Sequence, residues 1–371
     1  MISYSDENSD VALEMLGLEM SSFGKGDIRE PFVELTYSDG NTTSDFLFDS
    51  YRIQKGVTPL KTLPFSYAED DIAVNAAFAD GTSEGEDQRG AVKDAPQQLV
   101  VTLKDAGYNA RLELIYTIYP DVDVITRSAI LYNDSDKDIK IERLLSAQLD
   151  FDTPSLKLTS FHGRWADEMG KHEAACTGGK VVSEELSAGE SGSRSNPFVI
   201  VSDISADDNH GDCYGVNLVY SGNHYEALSS NSINMSRFVC GIQPIGFNWH
   251  LAAGDFFEAP EAVMTFSSKG MNAMSANMHE FVRKHIVRGE WRDKERPILV
   301  NSWEAAYLDF NEERILTLAK DAKALGAELL VLGAHRHILP GLQTVELHAF
   351  RALADGGARH VRADIAAADD Y

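Results

Sequence analysis

The sequence predicts a mainly β protein: an N-terminal β-sandwich domain followed by the incomplete start of an α/β barrel. Three observations carry this reading. From about Phe32 to Thr265 short apolar runs recur with a period of two. Turn-forming residues separate those runs at short, regular intervals. After Arg296, two brief continuous apolar segments flank one amphipathic helix, the order of a parallel strand–helix–strand unit.

Leu99, Val101 and Leu103 fall at every second position, as do Leu112, Leu114, Tyr116 and Ile118. Such alternation marks strands with one face more buried than the other. Val124-Ile125-Thr126-Arg127 adds a β-branched run. Asp105-Ala106-Gly107 and Asn133-Asp134-Ser135-Asp136 supply turns. Asp80 to Gly90 and Ser183 to Ser195, rich in Ser, Glu and Gly, read as solvated loops. After Ser268 the period changes. Met274, Met278, Phe281, Val282 and His285 form the apolar stripe of a helix over Met271 to Val287, with the methionines as core filling.

The charged, proline-ended segment Arg288 to Pro297 reads as an interdomain connection. Ile298-Leu299-Val300 is a strand of the doubly buried type. Asp309 or Asn311 caps the next helix, whose buried stripe is Ile315, Leu316, Ala319, Ala322 and Leu325, and Gly326 ends it. Leu329 to Leu332 is the second strand. The predicted organisation is a sandwich domain over 1–287, a linker over 288–296, a barrel segment over 297–332 and an atypical tail over 333–371. The tail holds four of the eleven histidines and no lysine. A closed barrel takes about 250 residues, whereas 75 follow Arg296. Two strands and a helix cannot cover their own apolar faces, so residues 297–371 are expected to be poorly packed without shielding.

Composition narrows the function. The formal net charge of -25 repels phosphate backbones and anionic bilayers, which argues against nucleic-acid and membrane partners. A neutral sugar remains compatible. Cys176, Cys213 and Cys240 are far apart and odd in number, as expected of free thiols in a reducing compartment. The start shows no leader pattern and no apolar stretch reaches about 18 residues, so a cytoplasmic location is expected. His335-Arg336-His337 lacks a carboxylate or cysteine partner and is not read as a metal site. No phosphate-cradling glycine motif or nucleophile elbow occurs. No cofactor and no metal are expected.

A set of motifs, in order, resembles the microbial α-galactosidases of glycoside hydrolase family 36. Gly24-Lys25-Gly26-Asp27-Ile28-Arg29-Glu30-Pro31 is similar to an early turn of that family, with Ile28 where an aromatic is usual. Tyr51-Arg52-Ile53-Gln54-Lys55-Gly56, Leu63-Pro64 and Val124 to Ser128 follow. Asn196-Pro197-Phe198, Tyr214 to Asn223, and Gln243 to Trp249 continue the series. Asn301-Ser302-Trp303-Glu304-Ala305-Ala306-Tyr307-Leu308-Asp309-Phe310 closes it. The resemblance covers about residues 15–332. It implies a supersandwich of β-strands leading into a (β/α)8 barrel, with assembly into homo-oligomers through the sandwich.

The resemblance implies retaining hydrolysis of terminal α-D-galactosides such as raffinose-type oligosaccharides. One carboxylate attacks the anomeric carbon and a second acts as acid, then base. In the family the nucleophile sits in Lys-Trp-Asp, which this sequence lacks. Where the family places two aspartates, glycine and tryptophan after the second strand, the chain reads Gly333-Ala334-His335-Arg336. No catalytic residue therefore carries over, and this polypeptide is expected to be inactive. Two binding residues do carry over. Trp303 matches the tryptophan at the end of the first barrel strand that lines the sugar pocket. Trp165, in His162-Gly163-Arg164-Trp165-Ala166, matches a sandwich-loop tryptophan that reaches the active site in family oligomers, although Arg164 replaces a small residue. A non-catalytic sugar-binding or assembly module is the alternative. For 333–371, a shift of reading frame is the preferred explanation.

Overall fold

The computed structural model describes residues 17–67, 96–231, 235–289, 291–307 and 309–331. The chain divides into two compact units, Met1–Val287 and Arg288–Tyr371. The insertion Asp80 to Gly90 and the whole of 333–371, with His335 and His337, lie outside the described residues.

The first unit is built from antiparallel strands. In chain order they are β1 (Val33–Thr36), β2 (Phe46–Lys55), β3 (Gln97–Asp105), β4 (Ala110–Tyr119), β5 (Val124–Asn133) and β6 (Ile139–Phe151). Then come β7 (Ser155–Arg164), β8 (Asp167–Thr177), β9 (Val181–Glu185), β10 (Ser195–Asp203) and β11 (Cys213–Leu218). The last are β12 (His224–Ser230), β13 (Ser236–Ile242), β14 (Trp249–Leu251), β15 (Phe256–Glu258) and β16 (Ala262–Ser267). One sheet runs β1-β6-β13-β12-β9, with β14 also on β6. The other runs β2-β3-β4-β5-β16-β11-β10-β7-β8, with β15 on β5. This is the sandwich expected from the sequence.

Two apolar clusters lie between the sheets. Val33, Leu112, Leu131, Ile141, Leu145 and Val239 form one. Leu158, Val199, Val201, Val216, Phe238 and Cys240 form the other. The three cysteines are free and buried. Burial of apolar area at about 25 cal/mol per Å² drives this packing. Helix α1 (Gly270–Phe281) continues into a π-turn (Val282–Ile286), close to the span the sequence suggests. It covers the outer face of the larger sheet, where Met271 and Met274 meet Ile200 and Cys213. Phe281 meets Tyr119 edge-on, with ring centroids 5.0 Å apart.

That helix changes which strand face is buried. Leu103, Leu112 and Leu114 point into the sandwich as expected, but Leu99, Val101 and Tyr116 are only partly covered and Ile118 is exposed. On the opposite face Val100, Thr117 and Tyr119 are buried. The physical reason is that the sandwich covers one face of β3 and β4 at one end, whereas α1 covers the other face toward the end of β4. The segment Ser183 to Ser195 also departs from the loop reading. Ser183, Glu184 and Glu185 belong to β9 and pair with β12, and the Glu184 carboxylate is held by the Ser195 hydroxyl of β10.

In the second unit β17 (Leu299–Asn301) pairs in parallel with β18 (Leu329–Val331). Between them lie α2 (Trp303–Ala306) and α3 (Glu312–Ala324). Asn311 is the cap, its side-chain oxygen accepting from the Arg314 N–H at 2.9 Å. Gly326 takes a positive φ of 91° past the helix end, as a C-terminal glycine stop requires. The expected stripe is only partly buried. Ala322 is covered, Leu316 is exposed and Leu325 is 89% exposed. A sheet of two three-residue strands offers α3 too little surface to bury a full stripe.

Candidate sugar-facing hairpin and strand end

Trp165 stands at the tip of the hairpin joining β7 to β8, at the edge of the larger sheet. The tip folds tightly for local reasons. A Cβ on Gly163 would stand 2.0 Å from the Asp167 carbonyl oxygen, so only glycine fits there. Ala166 and Met169 adopt positive φ of 62° and 58°, a conformation that costs non-glycine residues on the order of 1 kcal/mol each. The Ala166 N–H donates to Glu168 Oε1 at 3.0 Å. Trp165 itself is 88% exposed. An indole so placed is a free apolar face of the kind that stacks on the C–H face of a pyranose.

The hairpin is fastened from the side by the segment before β10. The Gly163 N–H donates to the Arg194 carbonyl at 3.1 Å and the Met169 N–H to the Ser193 carbonyl at 3.0 Å. The Gly192 N–H closes the same turn on the Ser195 carbonyl at 2.9 Å. Ser195 lies opposite His162 in the β10–β7 register. The His162 and His172 rings stack at 3.6 Å.

Behind the hairpin lies a buried polar chain that the sequence reading missed. Ser195 Oγ donates to Glu184 Oε1 at 2.8 Å and stands 3.4 Å from His224 Nε2. His224 Nδ1 is 2.7 Å from Glu226 Oε2. His224 and Glu226 are fully buried. Burial pushes the Glu226 carboxyl up to about 7, against the opposing hydrogen bond and charge of His224. Glu226 Oε1 has no hydrogen-bond partner among the described residues. The sequence held one signal: His224 and Glu226, two apart on a strand, share a face.

Trp303 lies two residues beyond the C-terminal end of β17 rather than on the strand, as the first residue of α2. The shift arises because the Trp303 N–H is turned back onto Asn301 Oδ1 at 2.9 Å, while the Ser302 N–H bonds the Val331 carbonyl at 2.9 Å. Its ring packs edge-on against Tyr307, with centroids 5.4 Å apart. The C-terminal ends of parallel strands are where such sheets carry their sites. Trp165 and Trp303 belong to different units, and neither unit contains both.

Among the described residues no group of three or more His, Cys, Asp or Glu is placed to hold a metal ion. No described helix is long and apolar enough to cross a membrane.

Comparison with known proteins decides the family. The model of the glycosyl hydrolase family 36 N-terminal domain matches residues 1–252, and the melibiase model matches 256–335. The chain belongs to glycoside hydrolase family 36. It is 35% identical to α-galactosidase AgaA of Geobacillus stearothermophilus over 86% of this chain and 41% of that protein. It is 33% identical to α-galactosidase 1 of Pediococcus pentosaceus over 86% of this chain and 40% of that one. The crystal structure of the Lactobacillus brevis α-galactosidase superposes with a TM-score of 0.78 at 33% identity, covering 90% of this chain and 42% of that one. A variant of the Geobacillus enzyme in complex with stachyose gives 0.76 at 34% identity, over 86% and 41%. This family 36 chain thus spans about two fifths of the length of the relatives it matches.

Proposed function

We propose that this family 36 chain carries sugar-facing elements of an α-galactosidase, Trp165 and Trp303, and that the 371-residue polypeptide by itself does not hydrolyse galactosides. The observation that carries the proposal is the sequence after β18. Gly333-Ala334 stand where the family's galactose-gripping aspartates are expected, and no Lys-Trp-Asp nucleophile motif occurs in the 371 residues. Retaining hydrolysis needs two positioned carboxylates, and no Asp or Glu matches either role. The melibiase match also stops at residue 335, which supports reading 333–371 as a frame shift. The coding sequence after codon 332, read in the other frames, is then expected to yield Asp-Asp-Gly-Trp.

The test is direct. The purified chain, assayed with an aryl α-galactoside, is expected to give no turnover above a blank. Turnover that persists after contaminating enzyme is excluded would overturn the proposal.

The exposure of Trp165 favours a second reading, a non-catalytic module that binds galactosides or assembles through the sandwich. Variants of the Geobacillus stearothermophilus relative have been crystallised with stachyose and with raffinose. Calorimetric binding of raffinose that is lost in Trp165→Ala would favour this reading, and no binding of any galactoside would remove it.

A further inference from the structure

We propose that the buried chain Glu184–Ser195–His224–Glu226 is a positioning device that holds the Trp165 hairpin in place, with Ser195 as its pivot. The proposal deepens the reading of Trp165 as a sugar-facing residue and rests on it for its functional meaning. Its structural basis is independent. The carbonyls of Ser193 and Arg194 are the acceptors that hold Met169 and Gly163, one on each arm of the hairpin. Both immediately precede Ser195, whose side chain is clamped between Glu184 on β9 and His224 on β12. The two clamping strands pair with each other inside the smaller sheet, whereas the hairpin sits at the edge of the larger one. The polar chain therefore ties an exposed hairpin to the opposite layer of the sandwich.

Serine, histidine and glutamate in this order resemble a nucleophilic triad, yet the geometry does not serve attack. Ser195 is buried, and its single hydroxyl hydrogen goes to Glu184 rather than to His224. A hydroxyl fixed by two partners in a low-dielectric setting is rigid. Valine and threonine share one shape and differ by the hydroxyl, so comparing the two at this position removes the hydrogen bond to the 193–195 segment at constant volume. Ser195, Glu184 and His224 are thus positioning residues, acting through the backbone bonds on Gly163 and Met169.

Hydrogen exchange on the purified 371-residue chain tests this. Peptides covering 160–170 report the hairpin, and peptides covering 125–131, within β5, report the sandwich. Ser195→Val and Glu184→Met, which removes the acceptor, are expected to speed exchange in the hairpin at least tenfold and to leave β5 within twofold of wild type. Ser195→Thr, which restores the hydroxyl, is expected to exchange like wild type. Unchanged hairpin exchange in Glu184→Met, or Ser195→Thr behaving like Ser195→Val, would overturn the proposal. So would equal acceleration of both peptide sets, since the chain would then stabilise the sandwich as a whole. Should Ser195→Val not fold, Glu184→Met and Ser195→Thr decide the matter. Raffinose binding is measured separately. A hairpin that responds as expected in a protein that binds no galactoside keeps the positioning role and removes the sugar-facing one.

Discussion

Arg237 grips Asp150 with two parallel contacts, Nε to Oδ1 at 2.7 Å and Nη2 to Oδ2 at 2.8 Å. The same guanidinium reaches Asp27 Oδ2 at 2.8 Å, and Arg29 reaches both aspartates. All four side chains are almost completely buried. Removing one member strands the others without compensation. Arg237→Leu is expected to cost about 3–5 kcal/mol, read from urea unfolding. A loss below about 1 kcal/mol would show that the network does not tie β13 to β6.

The same network sets an acid limit. Burial pushes the Asp27 carboxyl upward, but the hydrogen bond from Arg29 and the charge of Arg237 outweigh it and hold it below the usual range. A depressed folded value contributes stability that is present above the unfolded pKa and lost as pH falls through the folded one. Wild type is therefore expected to lose stability below about pH 4. Asp27→Asn is expected to be less stable at pH 7 and flatter below pH 4. A parallel pair of acid curves would contradict this.

Glu226 acts with the opposite sign. Its folded value is raised to about 7, so the unfolded chain holds fewer protons than the folded one between the ordinary glutamate value and 7. Stability linked to Glu226 is full below the unfolded pKa and is lost as pH rises through about 7. Between pH 5 and 8 wild type is expected to lose on the order of 2 kcal/mol more than Glu226→Gln. Thermal melts across that range check it, and equal slopes for the two proteins would refute it.

Helix α1 is seated on a glycine. A Cβ on Gly215 of β11 would stand 2.3 Å from Met274 Sδ, and Met274 is fully buried. Gly215→Ala is expected to cost about 1–3 kcal/mol by overpacking, and Met274→Ala about 2–5 kcal/mol by cavity formation. The double variant is expected to be less destabilised than the sum, because the new methyl enters the space the methionine leaves. Strict additivity would show that the two do not share that space.

The second unit gives a proteolytic prediction. Ile298, Leu299, Leu316 and Leu325 are all exposed large apolar residues, so little apolar surface is buried among the described residues of this unit. Limited digestion is expected to remove residues after Val287 first and to leave a resistant sandwich. Resistance across 297–331 would contradict it.

The sandwich strands, helix α1, the Asn311 cap and the Gly326 stop were legible because each is a local pattern. Alternation, a change of period, a capping side chain and a residue tolerant of positive φ act within a few positions. The buried polar chain was not legible. Its members lie 11, 29 and 2 residues apart, and Glu184 sits in a stretch whose composition reads as loop. Trp303 was placed within two residues of its position, since Asn301 redirects the chain only once β17 has its parallel partner.

By itself the sequence determined the family, the mainly β architecture and the two candidate tryptophans, because ordered motifs and periodicity are properties of the chain alone. Tertiary structure decided which faces of β3 and β4 are buried, because a period of two shows that a strand has two faces but not which neighbour covers each. It also decided that Ser195, Glu184, His224 and Glu226 meet behind the Trp165 hairpin. Such a meeting depends on three strands from two sheets being brought together, and no local rule of the sequence encodes that contact.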